Sequence, residues 1–437
     1  MTEAPRTQPL IPFARPFAGR EEEEAVLRVL RSGWLTTGKE ALAFEEEFSR
    51  FLAAAPGDSG AAPEGRAAGE SRAGGGSALP CLAVNSATSG LHLALEACGV
   101  RAGDLVFLPS YTFTSSAEVV RYLGARPVFI DAAAGGFHLD PKALEAALER
   151  LFRGLPPYPP RPGEGGEGFG PRGRAAAVMP VHYGGLPCDM GPIMEIARRY
   201  GLKVVEDAAH SFPSRDGSVY AGTWGDAGVF SFYATKTLST GEGGMVVCGD
   251  PALAERISLM RSHGIDRSIW NRYTDSRASW YYQVVEAGFK YNLPDLLAAI
   301  GRVQLSRAWD LLAMRREIAA AYDGAFGGDP HFSIPPSGPA DARHLYPLRI
   351  KTEALRIDRD AFAARIQEGG VGVSVHFIPL HTMPYYRKSC GLAPEDLPHA
   401  MESFRREISL PIWPGMDKGM IERVVDLVQS IAAHYTA

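Results

Sequence analysis

The sequence predicts an α/β protein: a large domain with a mostly parallel central sheet covered by helices on both faces, then a smaller C-terminal α+β domain. Three observations predict it. Short apolar runs alternate with amphipathic helical segments through roughly the first two thirds of the 437 residues. The apolar runs are continuous rather than alternating, which marks strands buried on both faces. After about Leu293 the rhythm changes to a long helix followed by strand, helix and strand. The chain is long enough for two cores, and the change of rhythm puts the boundary between 1–290 and 291–437.

The elements follow in order. Glu22 to Leu30 and Ala41 to Ala54 have apolar residues at helical spacing. Ser89 to Ala97 places Leu91, Leu95 and Cys98 on one side of a helix. Leu105 to Leu108 reads as a strand, Ser115 to Leu123 as a helix and Pro127 to Ile130 as a strand. Pro141 to Leu151 is a helix with proline in its first turn. Strands at Ala175 to Pro180 and Lys203 to Glu206 flank a helix at Met190 to Tyr200. Gly228 to Phe232 and Gly244 to Cys248 are strands separated by a glycine-rich loop. In the second domain one long helix runs from Leu293 through Arg315, and strands at Leu345 to Ile350 and Val371 to His376 flank another.

Composition narrows the function. The net charge is −5, so nothing draws the chain to nucleic acid or an anionic membrane. No apolar run is long enough for a membrane span, and residues 1–16 lack the apolar stretch of a secretory signal. The five cysteines, Cys81, Cys98, Cys188, Cys248 and Cys390, are scattered singly. That pattern excludes a disulfide framework or a zinc knuckle and fits a reducing cytoplasm. The 48 glycines and 33 prolines exceed ordinary usage. The excess concentrates in 56–80 and 153–174, which show no periodicity and read as flexible surface insertions.

Ligands of open α/β sheets bind at the carboxyl ends of strands, so polar residues there are the candidates. Asp207 follows one strand and Lys236 another, the lysine trailed by Gly241-Glu242-Gly243-Gly244. Thr88 and Ser89 open a helix whose free N–H groups favour a phosphate. Ser231 precedes Lys236 by five residues, and Phe113 supplies a ring at another strand end. Each has a plainer use alone: Asp207 as a turn residue, Thr88 and Ser89 as a helix cap, Phe113 as core, Lys236 as solvated surface. Together they are the parts that pyridoxal phosphate needs: a phosphate cradle, a stacking ring, an acid for the pyridinium nitrogen and a lysine amine.

At this point the sequence resembles the DegT/DnrJ/EryC/StrS family of pyridoxal-phosphate nucleotide-sugar aminotransferases, which share the aspartate-aminotransferase fold. The resemblance rests on SGWLTTG (32–38), NSATSGLHLAL (85–95), PSYTFTSSA (109–117), PVHYGG (180–185), EDAAHS (206–211), GDAGVFSFYATKTLSTGEGGMVV (225–247), GFKYNLPDLLAAIG (288–301), VSVHFIPLH (373–381) and SLPIWPGM (409–416). It implies that Lys236 is the Schiff-base lysine and Asp207 the partner of the ring nitrogen. It places His210 beside the ring hydroxyl, Phe113 against the ring, and Thr88, Ser89 and Ser231 at the phosphate. Asn292 matches an asparagine that reaches the phosphate from the neighbouring subunit, which implies a homodimer with shared active sites. His376 resembles a substrate-pocket histidine, with a structural strand-end role equally open. Tyr183, and more weakly His182, line the site from below.

The implied activity is transfer of an amino group, from glutamate, to a UDP- or dTDP-linked 4-keto sugar by a ping-pong route. C3-specific and aminocyclitol-forming relatives share the same catalytic core. Relatives that dehydrate sugars with pyridoxamine phosphate carry histidine in place of the lysine, so Lys236 argues against that reading. A regulator that keeps the fold and cofactor is the non-enzymatic alternative. Two patterns are decoys. Gly163 to Gly168 fits G-x-G-x-x-G but follows prolines rather than a strand. His376 and His381 have no third metal ligand nearby, so no metal is expected.

Overall fold

The protein is described by a computed structural model over residues 9–54, 78–161, 163, 165–217, 219–266 and 282–437. Two helices lead in. α1 (Arg20–Ser32) starts where Gly19 N–H donates to Glu22 Oε2 at 2.8 Å, and three glutamates in its first turn complement the helix dipole. It ends on Gly33, whose φ of 73° is the left-handed geometry of a helix stop. α2 (Lys39–Ala53) buries Phe44, Phe48 and Phe51.

The central sheet has seven strands in the order β1 (Cys81–Val84), β9 (Gly244–Cys248), β8 (Ala227–Ser231), β5 (Lys203–Asp207), β4 (Ala175–Val178), β2 (Leu105–Pro109), β3 (Arg126–Ile130). Neighbours from β8 to β3 pair in parallel; β9 alone runs against both its neighbours. β1, β2, β8 and β9 are buried at every residue, as continuous apolar runs require in a sheet covered on both faces. The connecting helices are α3 (Ala87–Ala97), α4 (Ser115–Tyr122), α5 (Pro141–Phe152), α6 (Met190–Tyr200) and α7 (Pro251–Met260). α5 and α7 begin with proline behind an aspartate cap, Asp140 and Asp250. A two-stranded ribbon, β6 (Arg215–Asp216) with β7 (Val219–Tyr220), follows β5.

The C-terminal part holds α8 (Asp295–Ser306), α9 (Ala308–Phe326), α10 (Arg359–Glu368), α11 (Pro384–Cys390), α12 (Pro398–Arg406) and α13 (Lys418–His434), and an antiparallel sheet of β10 (Phe332–Ser333), β11 (Tyr346–Ile350) and β12 (Glu407–Leu410). Its core of Ile318, Tyr322, Phe326, Leu348, Phe362 and Val424 also takes in Ile11 from near the N-terminus.

Three expectations need correction. The single long helix after Leu293 is two helices that break at Arg307, whose backbone leaves the helical region at φ −108°, ψ 11°. α8 packs on α1 and α2, whereas α9 belongs to the C-terminal core. Residues 371–376 form no strand. Gly370, at φ 81°, turns the chain out of α10, and the stretch touches other strands only at the isolated bridges Ile11–Val371 and Ser374–Ser409. The segment 153–174, described except for residues 162 and 164, is not all surface. Tyr158 is buried and pairs with Phe169; its hydroxyl donates to Phe129 O and accepts Phe129 N–H. Arg161 clasps Asp396 at 2.8 Å. Tyrosine is what lets so polar a loop hold to the core, because its ring buries apolar area while its hydroxyl satisfies backbone groups. The other expected insertion, 56–80, lies outside the described residues except for 78–80.

Candidate active site

A cavity of about 490 Å³ opens at the carboxyl ends of the parallel strands, where the two cores meet. Its walls include Thr88, Phe113, Asp207, His210, Ser231, Lys236 and His376. The chain thus brings seven of the sequence-predicted residues to one place, from five separate segments.

The floor is built from α3 and β9. Ser86 caps α3 by accepting Ser89 N–H at 3.1 Å, and Ser86, Ala87 and Thr88 face the cavity. Gly244 permits this. A Cβ there would lie 2.8 Å from Phe230 O and 2.9 Å from Ala87 N, so any side chain would push the helix start away from the sheet. Ser89 takes a different place from Thr88. Its hydroxyl donates to Asn85 Oδ1 at 2.7 Å, and it does not line the cavity.

Asp207 ends β5 and is held at both oxygens. Ser116 Oγ donates to Oδ2 at 2.7 Å and Ala209 N–H to Oδ1 at 3.2 Å. Ser116 is oriented in turn by Thr112 Oγ1 at 2.9 Å. Burial pushes the Asp207 carboxyl up, while these two donors and the Lys236 charge act to keep it ionised. Lys236 lies in the loop after β8. Burial brings its ammonium down to about 7; Asp207 opposes that fall and Arg315 adds to it. A lysine so placed is in good part an amine at neutral pH, the state that attacks a carbonyl carbon.

The other walls are aromatic and histidine-rich. Phe113 is 57% exposed and turned toward Phe377, their centroids 5.9 Å apart. His210 accepts Gly184 N–H at 3.3 Å and packs on His344 at 4.5 Å. Burial, with the Lys236 charge next, holds both imidazoles neutral, well below their usual value. Ser231 Oγ accepts Tyr233 N–H at 3.3 Å and keeps its proton for a ligand.

Tyr183 stands behind the wall: it is buried and donates to His376 O. His182 lies deeper, fully buried between Glu206 Oε2 at 2.9 Å and Cys188 N–H at 3.0 Å. Asn292 is absent from this chain's own cavity. It pairs with Lys290 and Thr37 beside β1. His381 accepts or shares a proton with Ser110 Oγ at 2.6 Å, away from His376, and no cluster of potential metal ligands occurs among the described residues.

Two cavity-building residues escape a sequence reading. His344 precedes β11. Arg315 is 2% exposed on α9 and donates to His344 O, Ile412 O and Thr235 O, tying the C-terminal core to the loop that carries Lys236. The sequence signals burial of Arg315, which falls on the apolar stripe of Leu311, Leu312, Ile318, Ala319 and Tyr322, but not which acceptors it meets.

Residues 16–57 and 76–429 match the DegT/DnrJ/EryC1/StrS aminotransferase family. The chain belongs to that family. SpsC of Bacillus subtilis, a spore coat polysaccharide biosynthesis protein, is 37% identical over 96% of this chain and 97% of its own. Among solved structures, Spr1654 of Streptococcus pneumoniae in its PLP-form is 25% identical, with a TM-score of 0.79 over 97% of this chain and 99% of that one. DesI, solved in the presence of its TDP-sugar product, is 26% identical with a TM-score of 0.75 over 97% and 93%. This aminotransferase therefore has the fold its sequence predicts, with a predominantly parallel sheet between layers of helices. No helix among the described residues is long and apolar enough to cross a membrane.

Proposed function

We propose that this aminotransferase uses pyridoxal phosphate to carry an amino group from glutamate to a UDP- or dTDP-linked 4-keto sugar, acting as a cytoplasmic homodimer. One observation carries the reading: a lysine whose ammonium is lowered to about 7 shares a cavity with an aspartate anchored at both oxygens. The sugar half is supported by SpsC being a spore coat polysaccharide biosynthesis protein and by the TDP-sugar product in whose presence DesI was solved.

The cavity's donor set fits the cofactor. When bound, pyridoxal phosphate supplies an electrophilic carbon and an electron-withdrawing ring. The start of α3, with Thr88 and Ser231, offers N–H and hydroxyl groups to its phosphate. Asp207, kept in place by Ser116 and Ala209, balances a protonated ring nitrogen. Phe113 would lie against the ring and His210 beside its hydroxyl. Lys236 would hold the cofactor through its amine and, when free, would move a proton at the substrate carbon. A dehydratase reading lacks support, because its relatives carry histidine where this chain has Lys236.

The test is to supply glutamate and a panel of nucleotide keto sugars, with cofactor absorbance and product mass as readouts. Glutamate shifts the visible band of the wild-type holoenzyme, and one keto sugar returns it while gaining nitrogen. Lys236→Ala loses the covalently bound cofactor, and turnover falls by roughly 10²–10⁴-fold or more. A variant that retains both the band and the activity refutes the assignment; a product that loses a hydroxyl without gaining nitrogen restores the dehydratase.

A further inference from the structure

His376 has one ring nitrogen engaged and one open. Its Nδ1 lies 2.9 Å from Ser409 Oγ, and Ser409 Oγ donates to Glu407 Oε1. The other oxygen of the same carboxylate accepts His376 N–H at 2.9 Å. Glu407 and Ser409 are fully buried at the start of β12, and neither lines the cavity. His376 does line it, and its Nε2 has no protein partner among the described residues. Phe13 stacks on the imidazole at 5.3 Å and holds its plane.

The proton count sets the direction of this chain. Burial and the Lys236 charge hold His376 down at about 3, so the ring carries one proton. A hydroxyl has one proton to give. Burial raises the Glu407 carboxyl to about 8; once it is ionised, Ser409 gives its proton to it and so accepts from His376 Nδ1–H, which leaves a lone pair on Nε2. The same three-part logic, a ring oriented by a buried acceptor behind it, fixes histidine tautomers in metal sites and catalytic triads. A carboxyl without exposure is costly unless its oxygens are used. Here its backbone and side-chain donors both come from the His376 neighbourhood and β12 itself, with the Arg359 charge close by.

We propose that Glu407 and Ser409 are positioning residues for His376: they hold its Nε2 in the cavity as an acceptor for a hydroxyl of the keto sugar, and so help select that sugar. The proposal rests on the sugar-aminotransferase reading above. Its test separates the two half-reactions of the holoenzyme, assayed above pH 8, where Glu407 is ionised. Ser409→Ala raises the KM for the keto sugar roughly 3–10-fold, as loss of one oriented hydrogen bond would, and changes the glutamate half-reaction less. Ser409→Thr, which keeps the hydroxyl, restores the sugar KM. Glu407→Gln, which keeps the volume, raises it again. In a His376→Ala background, Ser409→Ala adds nothing further to the sugar step. Equal effects on both half-reactions, no effect at all, or full additivity with His376→Ala overturns the proposal. A wild-type holoenzyme that aminates no keto sugar defeats the underlying reading instead.

Discussion

At the scale of single residues the site works by arranging neighbours around two ionisable groups. Asp207 is useful only while ionised, and Ser116 is its shortest donor. Removing that donor raises the carboxyl further, because a hydrogen bond to the charged form is lost. Ser116→Ala therefore moves the acidic limb of the activity profile to higher pH and weakens cofactor binding roughly 3–10-fold. Absorbance titration of the apoprotein with pyridoxal phosphate, repeated across pH, reads both; an acidic limb that stays in place contradicts this role for Ser116. Asp207 and Lys236 were legible in the sequence because each sits in a contiguous run at a strand end. Ser116, Arg315 and Glu407 were not. Their partners lie 91, 80 and 31 residues away, and only the fold brings them together.

At the scale of elements, local rules worked where one helix or strand could be read on its own, and failed where tertiary contacts decide. Continuous apolar runs located six of the seven strands of the large sheet to within a residue or two, because burial on both faces leaves few alternatives, but the short edge strand β1 was not read. The apolar periodicity across Arg307 could not reveal a break, since α8 and α9 keep similar patterns while facing different cores. The β-like run 371–376 reads as a strand but follows Gly370 and finds no ladder. Glycine placement shows the same distinction. Gly244→Ala forces a Cβ against the backbone of Phe230 and of Ser86-Ala87, so it costs about 1–3 kcal/mol of stability and weakens phosphate capture at the start of α3. Gly249→Ala, one residue past β9, meets only Leu79 at 3.9 Å, and changes stability by less than about 0.5 kcal/mol. Denaturant titration of the pair checks the contrast; equal losses would mean that the close approach at Gly244 is not what matters.

At the scale of the whole molecule, the cavity exists because two cores are held face to face. Arg315 joins them through three backbone carbonyls, and Phe13 and Ala14 reach the same cavity from the N-terminal side. What one chain does not bring to its own cavity is Asn292, which sits beside β1 with Lys290 and Thr37. In the proposed homodimer it serves the partner's phosphate site, and α1, α2 and the turn between them leave Leu27, Leu30, Leu35 and Leu42 exposed. This makes a prediction that only an assembly with shared sites satisfies. Lys236→Ala chains are inactive and Asn292→Ala chains bind cofactor poorly. In a mixed dimer one site is doubly defective, and the other combines an intact Lys236 with an intact Asn292 from across the interface. Random mixing makes half the dimers mixed, each with one whole site, so activity recovers to about a quarter of wild type. Recovery is measured after subunit exchange of the two purified variants. If Asn292 acted within its own chain, both sites of the mixed dimer would stay defective and no activity would return.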